Sequence, residues 1–299
     1  MAASQSDSDG LSQIVLALQA TYDPRSTNET RQSALQFLEN AKKQPDAPQH
    51  GFTLANDQSQ EPAVRHFGLS LLEYALRYRW EDYTQEQAAT LRAWVIGLAK
   101  DVRESDPLYF RNKVAILWVD VAKRSWAAEW SDMDEMLASF WDTTDAAKQY
   151  VYRQLVLYIL ECLSEDVCNR EDPVAMLRQE VLGQALNEII VPQSTYQRHL
   201  DKRAKSQNVR FTADGWLSRM SAFASTCCTS LAQGDERLLS LTIKTLEALK
   251  ATTTWVSLET VLETYTVDSL FAVISTGIVP AQMVIQNMIL YYNISTETH

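Results

Sequence analysis

The sequence predicts an all-α protein built as a solenoid of antiparallel helix pairs. Apolar residues recur at helical spacing along most of the 299 residues, the chain holds only eight Gly and eight Pro, and the short breaks between segments pair them two by two. A chain of this length exceeds the size at which one core stops growing, so two domains or an elongated array is expected. An α/β enzyme needs glycines for phosphate loops and tight strand ends, and this chain has none to spare.

Leu11, Ile14, Val15 and Leu18 mark a first helix from Leu11 to Ala20, which Asp23-Pro24 stops. Ser26-Thr27-Asn28-Glu29 supplies capping residues for a second helix, which presents Ala34, Phe37, Leu38 and Ala41. Pro45-Asp46-Ala47-Pro48 breaks the pattern, a short segment follows around Phe52 to Ala55, and Glu61-Pro62 opens the most informative helix of the chain. On a wheel of about 100° per residue with Val64 at zero, Phe67, Gly68, Leu71, Leu72, Ala75 and Tyr78 lie within about 80° of it. His66, Ser70, Glu73 and Arg77 fall on the opposite side.

Thr84 is the expected N-cap of a helix carrying Leu91, Trp94, Val95 and Leu98, and Asp106-Pro107 begins another carrying Phe110, Val114, Leu117, Trp118 and Val121. Further helices are expected from Asp132 to Trp141, Thr144 to Leu163, Pro173 to Ile190, Gly215 to Leu231, Asp235 to Ala251, Leu258 to Ile274 and Val279 to Tyr292. At roughly 40 residues per helix pair this is the period of HEAT or armadillo repeats, and residues 11–299 hold about 6 to 7 of them. Each pair buries its stripe against its neighbours. The least regular stretch, residues 193–214, contains Arg198, His199, Lys202, Arg203, Lys205 and Arg210. It reads as a solvated basic loop or a frayed helix end, with a contact loop for an acidic partner as the alternative. Polar residues 1–10 are expected to be disordered.

The balance of 38 acidic against 27 basic residues, a net charge of -11, disfavours a self-contained nucleic-acid binder and fits a basic partner better. Cys162, Cys168, Cys227 and Cys228 form no C-x-x-C pair and have no histidine at ligand spacing, so they read as reduced thiols in or near the core of an intracellular protein. No signal-peptide run is present, and the longest apolar runs fall short of the ~20 residues that span a bilayer, so no membrane insertion is expected. The phosphate-loop, dinucleotide, zinc-protease and nucleophile-elbow motifs are all missing, and His50, His66, His199 and His299 lie too far apart in a solenoid to converge. Carboxylates such as Asp132 and Asp134, or Glu171 and Asp172, sit at helix starts where they suit the dipole. The expectation is therefore no catalysis, no cofactor and no metal.

Phe67-Gly68-Leu69-Ser70-Leu71-Leu72-Glu73 followed by Arg79-Trp80 resembles the second repeat of the importin-β-like N-terminal region in nuclear transport receptors, exportins above all. Lys123, Trp126 and Trp130 followed by Asp132-Met133 resemble the junction of the third and fourth repeats. Leu160-Glu161-Cys162-Leu163-Ser164-Glu165-Asp166-Val167 and Thr254-Trp255-Val256-Ser257 resemble segments of the exportin-five type, whose fungal members carry phosphoproteins and other cargo. The likeness runs from about Leu11 and is strongest over Ala63 to Asp166. It implies a right-handed superhelix of HEAT repeats, and an N-terminal portion of a longer receptor. The apolar run before Ser295-Thr296-Glu297-Thr298-His299 lacks the polar face of a closing repeat and agrees with that.

What the resemblance implies is a binding cycle. The first repeats, here residues 11–142, bind the GTPase Ran in its GTP form; cargo protein or structured RNA binds cooperatively in the nucleus; hydrolysis in the cytoplasm releases both. Phe-Gly nucleoporins are the implied partners during shuttling through the pore. In this family the second helix of each pair lines the concave surface, which places Gln32, Gln36, Glu39 and Lys43, then His66, Ser70, Glu73 and Arg77, then Asn112, Ile116, Asp120 and Lys123 opposite Ran. Ile116 and Val119 are odd in that set, being apolar where solvent is expected. Ordinary solvated positions are the alternative for every member. Trp80, Trp118, Trp126 and Trp130 read as packing between repeats, with an aromatic peptide-binding surface as the alternative. A HEAT scaffold without a nucleotide-switched cycle is the competing function.

Overall fold

A computed structural model describes residues 2–170, 172–200, 205–231 and 235–286. Among them there are helices and no strand, only an isolated bridge between Trp126 and Trp130. The chain divides into a unit of residues 1–121 and a unit of residues 122–299.

In the first unit, α1 (Ala2–Tyr22) packs on α2 (Asn28–Ala41), and α3 (Ala47–Asn56) packs on α4 (Pro62–Tyr78). Thr27 caps α2 by accepting the Thr30 N–H. The helix α1 includes residues 2–10, and Gly10 lies so close to the buried His50 ring that a Cβ would meet Cε1 at 2.9 Å. The α3–α4 contact is closer still. A Cβ on Gly68 would stand 2.6 Å from the Gly51 carbonyl oxygen and 2.7 Å from the Ala55 nitrogen, so two glycines let the backbones touch. Ile14, Leu18, Leu38, Leu54, Val64 and Leu71 form the core around this junction. Thr84 caps α5 (Gln85–Asp101) in a full capping box with Gln87. α6 begins at Leu108 and runs to Ser125, carrying the chain into the second unit.

The second unit contains α7 (Met133–Trp141), α8 (Ala146–Ser164), a π turn (Glu165–Asn169), α9 (Pro173–Met176), α10 (Gln179–Ile190), α11 (Gln193–Leu200), α12 (Gly215–Leu231), α13 (Glu236–Thr253), α14 (Leu258–Glu263) and α15 (Thr266–Ser275). α8 packs on α13, and α12 packs on α13 and α15. Two helices expected as single pieces are split. Arg178 leaves helical geometry between α9 and α10, and its guanidinium donates to the carbonyls of Lys123 at 3.1 Å and Trp126 at 2.5 Å. Tyr265, at φ 55, separates α14 from α15, which brings the Thr264 and Thr266 hydroxyls to 2.7 Å. The helix expected from Val279 to Tyr292 is helical over 279–286; its remainder, with the expected apolar edge, lies outside the described residues.

Trp118, Trp126 and Trp130 are fully buried and Trp80 is half-buried. Trp126 and Trp130 flank a tight turn in which Ala127 sits at φ 64 and the Ser125 carbonyl accepts the Glu129 and Trp130 N–H groups. They are core residues. Burial also pushes the Cys162 thiol up to about 12 and that of Cys227 to about 11, which keeps both protonated at neutral pH.

Candidate partner-binding site

The polar helix faces expected to bind a partner fall into three environments. On and just beyond α2, Gln32, Gln36, Glu39 and Lys43 are all exposed. Their bonds are local: Gln36 donates to Asn40 at 3.4 Å and Glu39 accepts from Lys42 at 2.5 Å. On α4, His66, Ser70 and Glu73 are half-buried and Arg77 is exposed. The His66 ring stands edge-on to Tyr109 at 5.1 Å, and burial, reinforced by Lys113 and opposed by Glu73, lowers its pKa. Ser70 donates to the His66 carbonyl at 3.2 Å.

The third environment departs from expectation. On α6, Asn112 and Ile116 are half-buried, whereas Asp120 and Val119 are buried. Asp120 accepts from Arg77 Nε at 2.9 Å, and Arg77 Nη1 lies 3.3 Å from Glu73, which in turn accepts a short bond from Lys113. Alternating charges therefore tie α4 to α6: Lys113, Glu73, Arg77, Asp120. Only Arg77 keeps a large part of its side chain, 43%, in solvent. Burial alone would lower its pKa, but Asp120 and Glu73 outweigh that and raise it above the ordinary arginine value. Deeper in the same unit, buried Arg65 pairs with Asp106, donates to the Ala55 carbonyl at 3.1 Å and lies over the Phe110 ring at 4.2 Å.

Lys123 belongs to the second unit and is not a solvated contact. Its side chain is 4% exposed and its Nζ donates to Asp166 at 2.9 Å and Asp172 at 3.1 Å. Asp172 also caps α9 through the N–H groups of Val174 and Ala175. A buried ammonium needs such partners, since an isolated one is too costly to desolvate.

The expected basic loop is likewise held from within. Gln193 to Leu200 is helical as α11, and Arg198 pairs with Glu263 at 2.5 Å. Buried Glu188 accepts the N–H groups of Gln207 at 2.7 Å and Val209 at 3.1 Å, together with the Ser206 hydroxyl. Asp134 lies in the first turn of α7, the helix start expected for it, but its carboxylate is buried and accepts from the Phe211 N–H and the Trp216 indole N–H, each at 2.6 Å. Burial raises its carboxyl pKa in spite of those donors. Arg210 donates to the Val191 carbonyl at 2.6 Å. Of the remaining basic residues Lys205 is exposed, while Lys202, Arg203 and the His199 side chain, like Glu171, lie outside the described residues.

The residues that sequence reasoning missed, Arg65, Asp106 and Lys113, carry a signal in their spacing. Arg65 and Asp106 are 41 residues apart, Glu73 and Lys113 40, Arg77 and Asp120 43, each about one repeat period. Opposite charges one period apart on α4 and on α6 or the turn before it meet each other, as i,i+4 pairs do within a helix.

The fold does not by itself specify a function, and the sequence comparisons assign the class of this helical protein. Residues 34–99 match the importin-beta N-terminal domain and residues 107–281, more than half of the chain, match the exportin 1-like protein family. The chain belongs to that family, within the importin-β superfamily. Among its relatives, Protein MSN5 of Saccharomyces cerevisiae is 30% identical over 290 residues, covering 92% of this chain and 23% of that protein. Exportin-5 of Homo sapiens is 31% identical over 160 residues, 52% of this chain and 13% of its own length, and Exportin-5 of Mus musculus 28% over 175, 56% and 14%. These likenesses identify the exportin-five type. The chain spans about a quarter or less of the length of these relatives.

Proposed function

We propose that this chain forms the Ran-binding part of a nuclear export receptor that shuttles between nucleus and cytoplasm, binding Ran in its GTP state together with cargo and releasing both after hydrolysis. The observation that carries the reading is the match of residues 34–99 to an importin-beta N-terminal domain; of the helices it takes in, α2 in part and α4 whole, Gln36, Glu39 and Arg77 are presented to solvent, with Gln32 just before the matched residues. Arg77, fixed by Asp120 and Glu73, is the charged member best placed to meet a partner. Asp120 and Lys123 enter as supports for neighbouring groups rather than as direct contacts.

The cycle is a matter of linkage: Ran and cargo each favour one conformation of the repeats, and the coupling is reciprocal. Cargo protein fits the reading better than structured RNA, because Arg198 and Arg210 of the basic stretch are engaged by Glu263 and the Val191 carbonyl. The test is retention of Ran on the immobilised chain, with a non-hydrolysable GTP analogue against GDP. Selective retention of the GTP form is expected. A scaffold without a nucleotide-switched cycle retains neither form or both alike.

A further inference from the structure

A carboxylate buried as deeply as Asp120, whose side chain is 2% exposed, needs a cation or a set of N–H donors, and α4 supplies the cation Arg77 from its last turn. A pair serving packing alone would be expected to bury both partners, as Arg65 and Asp106 do at 10% and 4% exposure. Arg77 instead keeps 43% of its side chain in solvent beside Tyr78, which is 73% exposed. Glu73 reaches the same guanidinium from one turn earlier while Lys113 balances its second oxygen. The formal charges of Lys113, Glu73, Arg77 and Asp120 sum to zero, yet the most exposed member, Arg77, is cationic. An arginine gripped at Nε and Nη1 has already lost much of its rotamer freedom, and that loss need not be met again on binding.

We propose that Asp120 and Glu73 are positioning residues that hold Arg77 as a preset outward cation for a carboxylate on the surface of the bound GTPase. This rests on the reading that the α4 face meets that partner. Charge alone is insufficient: a lysine at position 77 lacks the guanidinium fork and cannot be gripped from both sides while pointing outward.

The experiment is a double-mutant cycle on the 299-residue chain, titrated with Ran carrying a GTP analogue or GDP, with helical melts run in parallel. Arg77→Ala is expected to weaken binding of the GTP form about tenfold and Asp120→Asn about fivefold, the range for well-placed interfacial charges. On the Arg77→Ala background Asp120→Asn should change affinity by less than about twofold, because its effect passes through Arg77. Arg77→Lys should lose most of what Arg77→Ala loses. If Asp120→Asn does not fold, Glu73→Gln, at a side chain 21% exposed, takes its place in the same cycle. Additive losses, or Arg77→Lys binding like the wild type, overturn the positioning role while leaving the functional reading intact. A wild-type chain that does not distinguish the two nucleotide forms overturns the functional reading first, and this inference with it.

Discussion

Gly68→Ala isolates the contact on which the α4 face depends. The added Cβ would stand 2.6 Å from the Gly51 oxygen, 2.7 Å from the Ala55 nitrogen and 3.0 Å from the Leu54 Cβ, short of ordinary contact at 3.4 Å by about 0.8 Å at the first. The two nearest atoms are backbone, so no rotamer change relieves them and α3 and α4 must separate. Separation loosens Leu54, Leu71 and Leu72, which are packed at 3% exposure or less. Overpacking of this kind costs about 1–3 kcal/mol, and the upper end applies where backbone blocks the way. Alanine's helix propensity returns up to about 1 kcal/mol, leaving a net loss of about 2 kcal/mol. For a unit of this size that is a fall in Tm of roughly 6 °C. Gly97→Ala is the matched control: it sits in α5 with nothing within 4 Å of its would-be Cβ, so it should stabilise by up to about 1 kcal/mol. Circular dichroism melts of both variants check this. Equal Tm values for the two would refute the claim that backbone contact sets the α3–α4 spacing.

Trp126→Ala removes a fully buried side chain beside the Arg178 anchor and should cost about 3 kcal/mol or more by urea unfolding. Lys123→Met takes the buried ammonium from Asp166 and Asp172, leaving Asp166 the Arg170 guanidinium at 3.9 Å, and should cost about 3 kcal/mol at pH 7, the low end for a broken buried pair because both carboxylates are partly solvated. Burial raises the Asp172 carboxyl, but the Ala175 N–H, Lys123 and the Val174 N–H outweigh it and hold the group below the ordinary value. Its contribution is therefore full above the unfolded pKa of about 3.9 and lost as pH falls through the folded value. The acid limb of the wild-type stability curve should accordingly flatten in Lys123→Met. Glu188→Gln replaces the carboxylate that receives the Gln207, Val209 and Arg210 N–H groups, and hydrogen exchange over residues 205–210 should accelerate while α4 stays protected.

The helix pattern was legible because each stripe meets a neighbour at fixed pitch, and Val64, Leu71, Leu72 and Ala75 are all buried where the wheel puts them. The breaks after Met176 and Glu263 were not legible, since Arg178 leaves helical geometry while its guanidinium bonds to the Lys123 and Trp126 carbonyls and Tyr265 takes a left-handed backbone, and periodicity registers neither. The polar faces were half-legible. A wheel separates apolar from polar, but it does not reveal that Asp120 and Lys123 meet their counter-ions from another helix or turn, and so it read buried charges as solvated ones. The same limit hid Glu188 and Asp134, whose partners are backbone N–H groups of a segment that looked free because it was basic.

Titration of the wild-type chain with Ran, loaded in one arm with a GTP analogue and in the other with GDP, tests the central claim most directly. The account predicts binding of the GTP form at least about tenfold tighter, a difference of about 1.4 kcal/mol or more. Equal affinity for the two forms, or no binding to either by a chain whose helical melt is intact, would contradict it.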